Sequence, residues 1–507
     1  MTAAGGSLKN KSPGTNEFLR GVSVDVMLLA GALALVLLTP CGAVADDSAS
    51  TAMPLSLTQK DAADATDHPD TRKPGPEWEI EARKSYQIPV LEILGFDFLL
   101  NRVNNSTDHT DTYNVSASSA WRNLTHGWVI DNDPFSVNQF AHPYQGAMYH
   151  GFARSAGLSY WEASAYTFAG STLWEFAGET TKPSKNDQVA SGIAGSFFGE
   201  ALFRMANLLL EKDEGNRYWR ELGAAAISPS MGFNRLAFGN RFDPVFSSRG
   251  AAYDSRFSVG GSLTALNHQG ASQSFIRNEA VADFTMDYGL PGKADYYYTR
   301  PFDYFRFRFT ASSANSFENI MVRGLLFGKE LDRSNNNYRG VWGLYGSYDY
   351  IAPQIFRVSS TALSLGTTGQ AWLTDSIALQ GTGLLGLGYG AAGTIHGISD
   401  RDYHYGATPQ ALLDLRLIFG QRVSLDLAAR GYYVSDVASP DSGWEKITRL
   451  DAGVTTRVYK RHAFSLKYTY SHRNASFPDL GGLSQSRGTV SIFYTFLGDT
   501  KFSAIHW

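Results

Sequence analysis

Two predicted helices carry polar side chains at a spacing that could assemble a chemical site. The polar positions of the first recur at every fourth residue and so align in one stripe: Thr167, Ser171, Glu175 and Glu179. The second helix repeats this spacing at Gln188, Gly192, Ser196, Glu200 and Arg204. Because only a short link joins the helices, we expect them to be antiparallel neighbours, with Glu175 opposite Ser191 and Gly192, and Thr167 opposite Glu200.

A third predicted helix could close the cluster with His142, Gln145 and Arg154. A carboxylate beside a histidine can transfer protons or bind a metal ion. The alternative interpretations are a hydrogen-bonded and ion-paired seam that sets helix register, or a solvated face. No His-Glu-x-x-His motif occurs, so the sequence predicts neither a metal site nor a cofactor. The candidate cluster comprises His142, Gln145, Arg154, Ser171, Glu175, Glu179, Asp187, Glu200 and Arg204.

Start and stop signals predict the helices that would position these side chains. Pro143 suits a first helical turn, and Gly157 suits the end of that helix. The second helix opens with a capping box at residues 159–162, and the third follows a similar pattern at residues 184–187. The sequence therefore predicts a helical domain over residues 134–225.

The remainder of the N-terminal half divides by composition. Residues 78–133 are predicted to form an apolar helix followed by short strands or loops, and residues 226–252 a connector. The third helix of the helical domain is apolar enough to resemble a membrane span, but Glu200 and Arg204 interrupt it. We therefore expect that helix to be buried.

The C-terminal half follows a period of two. Around Phe464, Leu466 and Tyr468, apolar and polar residues alternate, which places them on opposite faces of a strand. Turn-rich breaks divide residues 253–507 into about twelve segments of barrel-strand length, with aromatic residues near their ends. The predicted fold class is a membrane all-β barrel of about 12 antiparallel strands, preceded by an N-terminal α-helical domain.

On this register, a set of charged residues faces the inside of the barrel. The predicted lumen residues are Arg306, Arg308, Asp414, Arg416, Asp426, Arg430, Arg449, Asp451, Arg457 and Lys467. They could pair with one another and fill a closed lumen, or an excess of arginine could favour a small anionic solute in a channel. A barrel of about twelve strands is intermediate between small filled barrels and wide porins, so both interpretations stay open.

The N-terminus has the features of a secretory signal peptide, predicted over residues 1–45 with a small-residue cleavage site at residues 43–45. Residues 46–77 are predicted to form a disordered tether. Cleavage would remove Cys41, the only cysteine, which excludes disulfides, thiolate zinc sites and a cysteine nucleophile. The net charge of −4 lacks the positive excess that is typical of nucleic-acid-binding proteins, so we expect no nucleic-acid partner.

The region around the predicted helical domain also carries a set of short motifs. They are Trp128, Asp133-Pro134-Phe135, Asn138-Gln139, His142-Pro143-Tyr144-Gln145-Gly146, Tyr149, Ala153-Arg154, Gly157, Gly170-Ser171, Trp174-Glu175, Glu179, Pro183-Ser184, Asn186-Asp187, Gly199-Glu200, Arg204, Pro229 and Asn234-Arg235. This pattern resembles a family known as domain of unknown function 3943, found in outer-membrane proteins of Gram-negative bacteria. The resemblance covers about a fifth of the chain and implies an envelope address, but no reaction.

Together these features predict a non-enzymatic protein of the cell outer membrane that acts in transport or envelope organisation. We expect the helical domain on the periplasmic side, packed against or partly into a barrel mouth. The expected partners are outer-membrane lipids and the barrel-assembly machinery, because residues 488–496 resemble an aromatic terminal barrel strand.

The alternative function is that of a lipid-acting outer-membrane hydrolase. Such chemistry needs a serine that is activated by a histidine near the membrane interface. No Gly-x-Ser-x-Gly motif occurs in the sequence. The barrel histidines lie near predicted turns and show no partner spacing: His396, His404, His462 and His472.

Overall fold

The structure is a computed structural model of the full chain. It describes residues 84–107, 110–212, 215–268, 275–332, 337–352, 356–393, 400–435, 443–478 and 481–507. The predicted signal peptide and tether lie outside the described residues.

Twelve antiparallel strands form a closed barrel in which each strand pairs with its neighbours in the chain and β1 pairs with β12. The strands are β1 (Tyr253–His268), β2 (Phe275–Tyr288), β3 (Phe305–Ser312), β4 (Asn319–Asp332), β5 (Tyr338–Ile351), β6 (Arg357–Thr374), β7 (Ile377–Gly393), β8 (Tyr403–Phe419), β9 (Val423–Val434), β10 (Trp444–Tyr459), β11 (His462–Phe477) and β12 (Gly481–Leu497). The predicted barrel fold is therefore confirmed.

Contacts between strands that are not neighbours identify the inner face of the barrel. Arg256 of β1 bonds to Asp426 of β9, and Arg323 of β4 bonds to Asp414 of β8. Such pairs can form only across the lumen. The opposite face carries exposed apolar side chains: Val259, Leu263, Leu385, Leu387, Leu427, Leu450, Phe464, Leu466, Val490 and Ile492. A polar inside and an apolar outside are the arrangement of a barrel that spans an outer membrane.

Seven helices precede the barrel among the described residues. They are α1 (Gln87–Thr107), α2 (Ala117–Thr125), α3 (His142–Ser155), α4 (Tyr160–Ala177), α5 (Lys185–Glu211), α6 (Arg217–Ile227) and α7 (Pro229–Phe238). Ser159 and Glu162 form the predicted capping box at the start of α4. Helix α2 replaces the strands or loops expected before residue 133, because Ser116 caps that segment as a helix. Helix α7 lies in the predicted connector.

The barrel has two rims, which we name by the strand ends that they contain. The lower rim holds the start of β1 and the end of β12, and the upper rim lies at the opposite strand ends. Asn138, just before α3, and Asn186, at the start of α5, both bond to Tyr405 near the upper rim. Arg204, towards the end of α5, reaches Asp303 in the loop below β3. Helices α3 and α5 therefore run along the barrel from the upper to the lower rim.

The helices pack against the outside of the barrel wall. Phe198 of α5 contacts Phe307 and Tyr348 at mid height, and Phe140 stacks on Phe317 near the upper rim. Phe307 and Tyr348 belong to the outward set of strand residues, opposite in parity to the lumen residues. The expectation that the helical domain packs into a barrel mouth is therefore wrong. The outward aromatic side chains form an apolar surface that helices can cover as well as lipid can.

The Arg473–Glu445 ion pair provides a test of this fold. Arg473 donates two hydrogen bonds to the Glu445 carboxylate, at 2.7 and 2.8 Å, and neither side chain is exposed. We predict that Glu445→Ala costs about 3–5 kcal/mol, because a buried guanidinium loses its carboxylate. Urea unfolding in vesicles, followed by the gel shift between boiled and unboiled samples, measures this loss.

The matched control is Arg217→Ala, which removes a side chain that is 70% exposed from its surface ion pairs. We expect it to change the unfolding free energy by about 1 kcal/mol or less. Equal destabilisation by the two variants would contradict the assignment of Arg473 and Glu445 to a sealed interior.

Candidate functional site

The helical domain holds an ion network beside the lower rim. Glu200 of α5 is fully buried and accepts hydrogen bonds from Arg154 Nε–H at 2.7 Å and from Arg204 Nε–H at 2.8 Å. Arg204 also donates to Asp303 at 3.1 Å, and Asp303 accepts a hydrogen bond from Arg249. Glu200 thus faces two arginines and Asp303 faces three, since Arg300 Nε also lies 3.6 Å from Asp303 Oδ1. These arginines compensate the loss of hydration on burial.

His150 of α3 completes the network and was not among the predicted site residues. Its Nε2 atom lies 3.1 Å from Glu200 Oε2, and its side chain is fully buried. The sequence feature that could have identified His150 is its position one turn before Arg154, on the same face of the helix. Because both oxygens of Glu200 already accept hydrogen bonds from arginines, the geometry favours a structural role over proton transfer.

A second polar group lies near the upper rim. Glu175 accepts a hydrogen bond from the backbone N–H of Ser184 at 2.7 Å rather than pairing with an arginine. Asp187 Oδ2 lies 3.5 Å from His142 Nε2. In the loop after α4, burial raises the pKa of Glu179, an effect that nearby His142 opposes.

The predicted polar cluster is therefore divided between the two ends of the helices. His142 and Arg154 belong to one helix, but their positions are about 18 Å apart along its axis, so they cannot meet the same carboxylate. Gln145 lies between them and donates to the Tyr149 hydroxyl at 2.5 Å, which in turn donates to Asp97 of α1. The last predicted member, Ser171, accepts a hydrogen bond from Gln188.

In the polar group near the upper rim, Ser191, His142 and Asp187 form a serine–histidine–aspartate arrangement. Its Oγ lies 3.5 Å from His142 Nδ1, on the side of the ring opposite to Asp187. Both distances exceed those of good hydrogen bonds. A Cβ built on Gly146 would lie 2.0 Å from the Ser191 carbonyl oxygen, so α3 and α5 are in backbone contact at this serine. Such a crossing favours a structural role for the chain over nucleophilic catalysis.

Metal ligation is not supported by either polar group. Within the described part of the chain, no three or more His, Cys, Asp or Glu side chains are arranged to hold a metal ion.

The predicted lumen residues make polar contacts. Arg306 contacts Asp287 and Asp414, and Arg308 contacts Asp283 and Asp451. Arg416 contacts Asp254 and Asp426, and Arg430 contacts Asp349. Arg449 and Lys467 contact Asp451, and Arg457 contacts the carbonyl oxygens of Gln421 and Lys460. Arg457 thus binds a turn at the lower rim, whereas the other residues form an ion-paired layer inside the barrel. Cavities of about 100, 30 and 20 Å³ remain among these side chains, and volumes of this size hold water molecules.

The lower mouth is closed by the segment that follows β12. Phe502 is fully buried among inward apolar side chains of β7, β8, β11 and β12. Ser503 donates a hydrogen bond to Asp254, and Gln370 donates to the Ile505 carbonyl oxygen at 2.6 Å. The C-terminal segment therefore fills the lower end of the lumen.

An apolar layer occupies the upper part of the lumen. Its members are inward residues of β4, β5, β6, β7, β9 and β10 together with Phe356: Met321, Ile351, Phe356, Val358, Ala392, Tyr432, Val434 and Ile447. The lumen thus contains the C-terminal segment, the ion-paired layer and this apolar layer in succession from the lower to the upper rim.

The divided polar cluster predicts unequal effects of two substitutions. Glu200→Ala removes the carboxylate shared by Arg154 and Arg204, so we expect it to cost about 3–5 kcal/mol. The helical domain should loosen while the barrel stays assembled. Limited proteolysis within residues 134–225, together with the gel shift of unboiled samples, measures both effects.

Glu175→Gln is the matched control, because glutamine keeps an acceptor for the Ser184 N–H. Loss of one such hydrogen bond would cost only about 1 kcal/mol. If Glu175→Gln accelerated proteolysis as much as Glu200→Ala, the ion network beside the lower rim would not be the main support of the helices.

Comparisons with known proteins bear on the barrel and on the helical domain separately. The outer membrane channel DcaP of Acinetobacter baumannii is 7% identical, with a TM-score of 0.24 over 49% of this chain and 99% of that one. An anion-selective porin from Comamonas acidovorans is 10% identical, with a TM-score of 0.22 over 48% of this chain and 100% of that one. The Pseudomonas putida toluene transporter TodX is 9% identical, with a TM-score of 0.19 over 48% of this chain and 89% of that one. Likenesses this low support no statement about what this chain binds.

No curated protein matches the chain in sequence. Residues 127–230 match the family described as Domain of unknown function (DUF3943). This span contains α3, α4, α5 and α6, with both polar groups of the helical domain. The resemblance predicted from the motifs is thus confirmed, and residues 127–230 carry the DUF3943 domain ahead of an outer-membrane-type barrel.

Proposed function

We propose that this protein is a sealed outer-membrane barrel that acts in envelope organisation rather than as an open porin. The observation that carries this proposal is the filling of the lumen by side chains of the barrel itself. Ion pairs such as Arg323–Asp414 cross the barrel, and Phe502 fills its lower mouth. A membrane protein that conducts no solute can still anchor and present an attached domain.

Transport is the competing role, and the paired charges of the lumen favour a sealed barrel over it. An anionic solute would have to replace aspartates that already bind the arginines. Arg416, for example, contacts Asp254 at 2.9 Å and Asp426 at 2.6 Å. Breaking buried pairs of this kind is costly, so passage of a small anion needs more than the diffusion that serves open porins.

The connections between strands support an orientation in the membrane. Turns at residues 375–376, 420–422 and 460–461 lie at the lower rim and are short, as periplasmic turns of such barrels are. The lower rim is therefore periplasmic in this proposal, and the chain enters the barrel from that side. Outer-membrane lipids contact the exposed outer wall, and the assembly machinery recognises β12.

The first test is conductance in planar bilayers. We predict no porin-like current from the full-length protein, and none from Phe502→Ala, because the ion-paired and apolar layers still close the lumen. A known open porin in the same bilayer serves as the positive control. The gel shift of unboiled samples shows that each variant is assembled. Porin-like current through the full-length protein would overturn the proposal in favour of transport.

The hydrolase alternative has a test of its own. The Ser191–His142–Asp187 chain is the observation that favours it, and the close helix crossing at Gly146 opposes it. We predict no turnover of phospholipid or lipid A by the purified protein. Turnover that is present in the full-length protein and lost in Ser191→Ala would establish the enzyme instead.

A further inference from the structure

The exposed surface of the helical domain has an inverted polarity. Between residues 90 and 101, α1 exposes Leu91 (68%) and Phe98 (62%), whereas Glu92 (9%), Asp97 (7%) and Asn101 (4%) are buried. A helix on the surface of a water-soluble domain shows the opposite pattern, with its apolar stripe facing the core.

Other helices of the domain show the same inversion. The exposed positions of α4 are all apolar: Trp161, Ala165, Phe168, Ala169 and Ala177. In α7, Leu236 is 87% exposed and Phe233 is 51% exposed, while Asn234 is fully buried. The charged groups Arg154 and Glu200 lie inside the domain. These helices therefore expose apolar side chains while several charged and polar groups of the domain are buried.

The position of the helices explains which environment suits this exterior. They cover outward side chains of β3, β4 and β5, such as Phe307, Val322 and Tyr348, which lie in the apolar band of the barrel. On the uncovered strands, the same band is exposed at Leu385 and Leu466. The helices thus cover one part of the apolar outer wall that the barrel exposes on its other strands.

Length and flanking residues agree with this placement. Helix α5 has 27 residues, and at 1.5 Å per residue it is about 40 Å long, enough to cross a bilayer. Exposed basic residues lie at both ends of the helical domain: Arg102, Arg122, Lys182 and Lys185 at the upper end, and Lys212, Arg217 and Arg241 at the lower end. Tyr218 and Trp219 are exposed at the lower end, where aromatic side chains suit the membrane interface.

We infer that the DUF3943 domain and α1 lie within the outer membrane beside the barrel, where lipid acyl chains contact the exposed faces of α1, α4 and α7. Helix α5 crosses the bilayer in the centre of this domain, between the barrel wall and the other helices. The polar groups of the domain pair with one another because no water reaches them from the side. This inference does not depend on whether the lumen conducts.

The test uses single cysteines in the full-length chain, because Cys41 is its only cysteine and Cys41→Ser removes the background. Leu91→Cys, Phe98→Cys and Phe168→Cys, labelled with an environment-sensitive fluorophore, probe the helices in phospholipid vesicles. Leu385→Cys and Leu466→Cys provide lipid-facing controls on the barrel, and Arg217→Cys provides an aqueous control. Brominated lipids quench labels among acyl chains, and iodide quenches labels in water.

We expect the helix labels to match the barrel labels, with strong quenching by brominated lipids, loss of iodide quenching and a blue shift of emission. The inference would be overturned if iodide quenched the helix labels as strongly as it quenches the label at Arg217→Cys, while the barrel labels stayed protected. Protection from both quenchers, together with a dimer in detergent, would show that a second copy covers this face instead and would also overturn it.

Discussion

The pairing of polar side chains in the interior is the constraint on which this structure depends. The outward faces of the strands are largely apolar, and charged side chains pair with one another in the lumen, as Arg256 and Asp426 do across the barrel. The helical domain follows the same rule with Glu200 and Arg204. Because a buried charge without a partner is costly, the two halves of the chain show the same organisation in different secondary structure.

A second consequence concerns where the main apolar core lies. The largest cluster of buried apolar residues is not inside the barrel, but joins α3, α4 and α5 to the outer wall. Phe302 shows how the two parts are locked together, because it contacts Tyr160, Phe197 and Phe305 and is fully buried. The helices and the barrel therefore form one packed body rather than a pore with a detachable cap.

The filled lumen and the apolar exterior together favour the outer surface over the lumen as the functional surface. In a pore, lumen side chains select solutes. Here the lumen side chains bind each other, whereas apolar side chains are exposed on α1, α4 and α7 and on the uncovered strands of the barrel. Under the proposed role in envelope organisation, the protein would act through what it contacts in the plane of the membrane.

The sequence by itself determined the barrel and most helix boundaries. Alternation around Phe464 fixes which side chains share a face, and local capping at Ser159 fixes where a helix begins, so both could be predicted without knowledge of distant residues. Tertiary structure decided which polar groups meet. His150 joins Glu200, and Arg323 joins Asp414, through contacts that span 50 and 91 residues. It also decided that the helices lie on the wall, because the outward aromatic side chains suit a helix and a lipid chain equally well, and only packing distinguishes the two.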